Sequence, residues 1–165
     1  MEKIKILVVE DHKVSQKLLD HALQDEVYDK RFADNGQAAL DNYREWKPDI
    51  ILLDLLLPVV SGYSMLKEIR IKEKDTSTAI IVISSLMSKE DIMDCVKLGI
   101  QGYIVKPINV KEIGRKVLEH FIKAYPARAT EAVELFKLVK SKQEAAGQAG
   151  SSEADPPESS SSEPG

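Results

Sequence analysis

The sequence predicts an α/β protein: a five-stranded parallel sheet, doubly wound with helices on both faces, followed by a C-terminal helical extension and a polar tail. Two observations carry this. Short apolar runs (IKILVV at 4–9, IILL at 50–53, AIIVI at 79–83) show no polar alternation, the habit of strands buried on both faces. Between them lie stretches whose apolar residues recur every three or four positions, so a helical crossover follows each strand. Such crossovers make neighbouring strands parallel and the connections right-handed.

Taken in order, Ile4–Val9 is the first strand and Glu10-Asp11 closes it. Val14, Leu18 and Ala22, widened by Leu19 and Leu23, form the first helical stripe. Val27–Ala33 is a polar-spaced strand suited to a sheet edge. Asp34-Asn35-Gly36 supplies a turn and an N-cap for a second helix carrying Ala38, Leu40 and Tyr43. Ile50–Asp54 is the third strand, running on into Leu-Leu-Leu-Pro. Met65, Leu66 and Ile69 mark a third helix, and Ala79–Ile83, ending at Ser84-Ser85, is the fourth strand. Ser88 with Asp91 three residues on resembles a capping box. The fourth helix continues through Ile92, Cys95 and Val96 to a stop at Gly99. Tyr103–Val105 is a short fifth strand before Lys106-Pro107. The fifth helix runs from Val110 through Ile113, Val117 and Leu118 to Phe121 or beyond.

This gives a domain over 1–124. After Pro126, Ala129, Ala132, Val133, Phe136 and Val139 fall on one stripe, so 125–142 is an amphipathic extension. That stripe either docks on the protein's own core or binds a partner or a second copy. From 143 to 165 Ala, Gly, Ser, Glu and Pro dominate, a composition expected to be disordered.

Net charge is −4, but residues 144–165 hold five acids and no Lys or Arg, which leaves 1–143 at about +1 by subtraction. No basic stripe suggests nucleic acid. The single Cys95 excludes an internal disulfide and fits a reducing compartment. MEKIKILVVED does not read as a signal peptide, and no run approaches the ~18 apolar residues of a membrane span. No membrane insertion and a cytoplasmic location are expected.

In parallel sheets ligands sit beyond the C-terminal strand ends. Here those ends carry Glu10 and Asp11, Asp54, Ser84 and Lys106. Three acids on one rim repel unless a cation joins them, and all-oxygen donors without His or Cys select Mg²⁺ or Mn²⁺. Mg²⁺ pairs with phosphate. Lys106 and Ser84 offer a positive charge and a hydroxyl suited to phosphoryl oxygens, and Asp54 is placed to act as a nucleophile. From its own segment alone, Asp54 also reads, less strongly, as a cap for the turn that follows.

The pieces VVED at 8–11, ILLDLLLPVVSG at 51–62, IVISS at 81–85 and GYIVKPI at 102–108, in that order, resemble the receiver domain of two-component response regulators, over roughly residues 3–122. The resemblance implies the flavodoxin-like, chemotaxis-regulator-like fold and a phosphorelay role as a phosphoprotein. It implies Asp54 as phosphoacceptor, forming an aspartyl phosphate, with Asp11 a direct metal ligand, Glu10 acting through water, and the backbone carbonyl of Leu56 completing the site. It further implies Ser84 and Tyr103 as switch residues, Lys106 as the phosphate-contacting lysine and a cis peptide to Pro107. The implied donor is a histidine kinase or histidine phosphotransfer protein. The implied output is a changed affinity for a downstream protein at the face built by the fourth helix, fifth strand and fifth helix. Two departures are Leu56 and Leu86, apolar where hydrolytic water approaches, which predicts slow self-dephosphorylation. A third is Ile100, where a small residue is usual.

Rival readings are a pseudo-receiver that binds proteins without phosphate, a phosphohydrolase and a flavodoxin-like electron carrier. Leu56 in place of a second acid argues against the phosphohydrolase, and EDHKVS is not the loop of the electron carrier. The chain is not expected to be a turnover enzyme on an external substrate. Residues 123–165 read as too short for an output domain. Among other residues, Cys95 reads as core, and His12 as solvated or capping. His21 and His120 read as surface, and Trp46 as cover for the end of the second helix. Tyr103 could instead be a half-buried strand aromatic.

Overall fold

The computed structural model describes residues 1–149. Five strands, β1 (Ile4–Val9), β2 (Tyr28–Ala33), β3 (Ile50–Leu53), β4 (Ala79–Ser84) and β5 (Gly102–Val105), form one sheet in the order β2-β1-β3-β4-β5. Every pairing is parallel. β2, with its polar spacing, lies at one edge as its sequence predicts.

Side chains alternate strictly across the sheet, so each strand feeds two cores. Ile6, Val8, Ile50, Leu52, Ile81 and Ile83 point into one, under α1 (Lys13–Ala22) and α5 (Val110–Ala124). Leu7, Val9, Ile51, Leu53, Ile80 and Val82 point into the other, under α2 (Gly36–Trp46), α3 (Gly62–Lys67) and α4 (Lys89–Lys97). This is why the runs are unbroken: no position faces water. Each such side chain contributes about 1.5–3 kcal/mol on burial. Cys95 is one of these core residues, fully buried.

Helix starts follow the sequence signals. Asn35 accepts from the Ala38 amide at 2.9 Å, and Ser88 from the Asp91 amide at 3.1 Å. The reciprocal half of the capping box is altered, since the Ser88 hydroxyl also donates to the Asp91 carboxylate. Gly99 ends α4 at φ +83°, a conformation costly for other residues. A π-helical turn, Glu68–Lys72, continues α3. Trp46 lies at the end of α2 beneath the Arg31 guanidinium, 4.8 Å from its ring.

Two apolar stripes are corrected. Val14 and Leu18, read as the inner face of α1, are 60% and 41% exposed, and Leu19 and Leu23 do the burying. On α4, Val96 also faces outward, 49% exposed.

After a 3₁₀ turn at Pro126–Arg128, α6 (Ala129–Ala149) lies along α5. Ala132 and Val139 are buried and Leu135 and Phe136 pack against the α1–α5 core, so the stripe docks on the protein itself. The helix runs seven residues past the predicted end at 142, so 143–149 are helical rather than tail. Residues 150–165 lie outside the described residues. No described helix is long and apolar enough to cross a membrane. His120, read as a surface residue, is partly buried. Its ring lies over Gly102, where an added Cβ would come within 2.5 Å of Nε2, and Nδ1 is buried without a partner. Burial, helped by the Lys123 charge, pulls its pKa below the usual value.

Candidate functional site

The sheet ladder itself sets the positions of the rim residues. One residue past each strand, the Glu10 amide still donates to the Ala33 carbonyl (3.0 Å), Asp54 to Val9 (3.0 Å) and Lys106 to Ser84 (2.9 Å). Side chains that end these strands therefore leave the sheet at fixed points. The Lys106 ammonium bridges two of them, 2.7 Å from Glu10 Oε2 and 2.7 Å from Asp54 Oδ2. Glu10 and Asp54 are 2% and 5% exposed, so their charge is partly desolvated and needs such partners.

The second oxygen of each acid is held by the backbone. Glu10 Oε1 accepts from the His12 amide at 3.0 Å and Asp54 Oδ1 from the Leu56 amide at 2.9 Å. Gln16 Nε2 donates to the Glu10 carbonyl. His12 is exposed, and its side chain makes no cap hydrogen bond. Asp11 is exposed, and one oxygen from each of Glu10, Asp11 and Asp54 lies within 4.8 Å of the others. Three carboxylates thus face one ammonium, an all-oxygen set with negative charge in excess, of the kind that suits a hard divalent cation. Burial disfavours the Lys106 charge, but its hydrogen bonds to Asp54 and Glu10 outweigh that and raise its pKa.

Gly62 starts α3 directly under the site. A Cβ there would come within 1.9 Å of the Asp54 carbonyl, so only glycine lets the β3–α3 loop close on the strand end. In that loop Leu56 is 53% exposed and Val59 has φ +66°.

On the far side of Asp54, the Ser84 side chain is fully buried, and its oxygen accepts from the Leu86 amide at 3.2 Å. The Tyr103 hydroxyl donates to the Leu86 carbonyl at 2.9 Å. The backbone of one residue, Leu86, is held by both, at its amide and at its carbonyl. Tyr103 is partly buried against the α4-side core, and burial pushes its phenol pKa up. The Lys106-Pro107 bond is cis. Ile100 packs against the same core. Each residue that the sequence placed on the rim is therefore on it. The backbone amides of His12, Leu56 and Leu86 and the side chain of Gln16 were not foreseen. No residue type marks an amide contact, and Gln16 carried no pattern.

A family model described as the response regulator receiver domain matches residues 6–118. Chemotaxis protein CheY of Halobacterium salinarum is 34% identical over 103 residues, covering 62% of this chain and 84% of that protein. A probable transcriptional regulator, ycf27 of Porphyridium aerugineum, is 32% identical over 117 residues, covering 71% of this chain and 48% of that protein. The chain spans about half the length of this and other curated relatives it matches. Among solved structures, the signal receiver domain of a putative LuxO repressor protein from Vibrio parahaemolyticus is 28% identical with TM-score 0.70, covering 79% of this chain and 98% of that one. A CheX–CheY complex with BeF₃ and Mg²⁺ from Borrelia burgdorferi is 27% identical with TM-score 0.64, covering 74% and 89%. The chain belongs to the response regulator receiver family.

Proposed function

We propose that this chain is a phosphorylation-dependent switch in a two-component phosphorelay, accepting a phosphoryl group on Asp54 from the phosphohistidine of a histidine kinase or phosphotransfer protein. The observation that carries the reading is the partly buried Lys106 ammonium shared between Glu10 and Asp54, with Asp11 open beside them. An Asp54 oxygen attacks phosphorus as the P–N bond breaks, and the bond pair leaves with the donor imidazole, which then takes a proton. Glu10, Asp11, Asp54 and the Leu56 carbonyl would hold Mg²⁺, with Mn²⁺ as substitute. Bound there, the ion would offset the charge of the carboxylates and the incoming phosphoryl oxygens. The metal-bearing relative supports that assignment by likeness.

Once Asp54 carries phosphate, Lys106 exchanges a carboxylate oxygen for a phosphoryl oxygen, a contact its compact charge suits. The Ser84 hydroxyl turns to donate to the same group. Its oxygen then releases the Leu86 amide, and the Leu86 carbonyl shifts against Tyr103, shifting a pre-existing equilibrium of the α4–β5–α5 face. That face exposes Met93, Val96 and Val105, apolar surface suited to a downstream protein. The switch works in the cytoplasm, and its output is protein contact rather than nucleic acid binding or membrane insertion. Leu56 and Leu86 offer no group to orient water, so the aspartyl phosphate decays slowly. A lifetime among the shortest of the family would refute that.

The deciding experiment mixes the protein with Mg²⁺ and a small phosphodonor, with and without Asp54→Asn. Wild type is expected to become a phosphoprotein and the variant is not. A label that survives the substitution, or none in wild type, would leave the chain as a protein-binding module independent of phosphate.

A further inference from the structure

The docking of α6 builds a groove that the α/β layers alone do not have. Its walls are the end of α1 with His21 and Gln24, the first turns of α5 with Lys111 and Arg115, and the edge of α6 with Phe136 and Lys140. Its volume is about 590 Å³, and neither Asp nor Glu is among its lining residues. Phe136 and Lys140 lie beyond the span matched to the receiver family, so the groove belongs to this chain's own extension.

The cations in this groove are poorly matched. Lys111 is exposed and its ammonium has no ion-pair partner among the described residues. Arg115 is held by Glu119 at 2.7 Å, while Lys140 approaches Glu144 only to 3.9 Å. The groove thus offers one unpaired ammonium and one loosely held one, with no acid in its lining. The chain supplies the complementary charge directly beyond α6, because residues 150–165 hold Glu153, Asp155, Glu158 and Glu163 and neither Lys nor Arg.

We propose that the acidic segment 150–165 folds back along α6 and occupies this cationic groove as an internal ligand. The reach is sufficient. From Lys140 to Ala149 the helix advances about 14 Å, whereas sixteen residues extend at most about 55 Å. Glu158 and Glu163 can therefore return to Lys111 and Lys140. Single exposed ion pairs contribute little, but tethering holds the segment at roughly millimolar effective concentration. That favours the tail over a free anionic partner, which would have to displace it. Salt weakens the contact, since the groove is open to solvent.

The test uses the full chain. A nitroxide on Ser161→Cys labels the tail alone, because Cys95 is fully buried. At low salt, amides of Gln24, Lys111, Arg115 and Lys140 are expected to broaden several-fold more than those of the α2–α3 face. The effect is expected to vanish in about 0.5 M NaCl. It is also expected to vanish when Glu153→Gln, Asp155→Asn, Glu158→Gln and Glu163→Gln are combined, and in Lys111→Glu with Lys140→Glu, both exposed lysines. Even broadening on every face, or broadening that persists in the neutralised tail, overturns the proposal. A second arm titrates inorganic phosphate. The neutralised variant is expected to bind it at least about twofold more tightly than wild type, because the competing tail is gone. Equal affinities would assign the groove to an external anion instead.

Discussion

The two ends of the sheet each gather acids, and they treat them differently. At the C-terminal end Glu10 and Asp54 share one ammonium, and Asp11 stands open to solvent beside them. At the N-terminal end Asp49 and Asp75 are both answered from within the chain. Asp49 accepts from the Lys5 amide at 2.9 Å and from Arg128 at 2.7 Å. Asp75 accepts from the amides of Ser77 and Thr78 and from the hydroxyls of Ser77, Thr78 and Tyr43, between 2.6 and 3.1 Å. Arg70 closes the same cluster on the carbonyls of Asp75 and Thr78 and on Gln101. A polar cluster whose donors and acceptors match is a clasp. One whose carboxylates outnumber its cations, three to one, has room for a ligand that carries positive charge.

The sharpest way to break this contrast is to remove one acid from each end. Asp75→Ala strands three hydroxyls and two amides, and is expected to cost about 2–4 kcal/mol of stability, while the folded fraction still takes phosphate. Asp54→Asn is expected to abolish phosphorylation yet leave stability within about 1 kcal/mol, since it relieves a crowd of negative charge. Urea melts and phosphorylation assays on both variants decide it. A strongly destabilised Asp54→Asn would show that the C-terminal cluster is a clasp as well.

Acid is expected to weaken the N-terminal clasp. Burial opposes the Asp75 charge, but the hydrogen bonds from Thr78, Ser77 and Tyr43 prevail and hold its pKa well below the ordinary aspartate value of 3.8. A carboxyl depressed in the folded state adds stability that is present above 3.8 and is lost as pH falls through and below it. Wild type is therefore expected to weaken below about pH 4, and Asp75→Asn to start weaker but show a flatter slope there. Thermal melts from pH 2 to 6 give both curves. Parallel slopes would mean that other carboxyls dominate.

The same contrast explains what could be read from sequence. Rim residues at the C-terminal end stood out because each follows an apolar run directly, where a polar residue needs a reason. Nothing comparable marks the clasp. Arg128 finds Asp49 across 79 positions and Tyr125 reaches the Asp49 carbonyl across 76, pairings that only the folded chain creates. Spacing located the first helix, but Val14 and Leu18 fit its stripe as well as Leu19 does and point to water. The end of α6 was missed because its Ala, Gln and Glu were read as low complexity, although they are good helix formers.

A smaller effect probes the clasp at its link to the extension. The Tyr125 hydroxyl lies 2.7 Å from the Asp49 carbonyl and 2.8 Å from that of Ser77, joining the start of α6 to two strand entries. Tyr125→Phe keeps the ring against Phe121 and removes only the donor. About 1 kcal/mol of stability should go, with phosphorylation unchanged. A change in phosphate uptake without loss of stability would mean that the two ends of the sheet are coupled.

The least costly substitution belongs to the C-terminal end, where the backbone as well as the charge departs from rest. Lys47, Val59 and Lys74 all have positive φ, but Lys47 and Lys74 are unbranched. Val59 is β-branched, sits in the loop after Asp54, and is 87% exposed, so no packing accounts for its conformation. A residue that visits the left-handed region with less strain should relax it. Val59→Asn is expected to raise stability by up to about 1 kcal/mol. If the strain is only a by-product of closing the loop over Gly62, phosphorylation by a small donor stays the same. If it holds the Leu56 amide against Asp54, the variant gains stability and loses phosphorylation rate together, and comparing a denaturation midpoint with a phosphorylation rate separates the two.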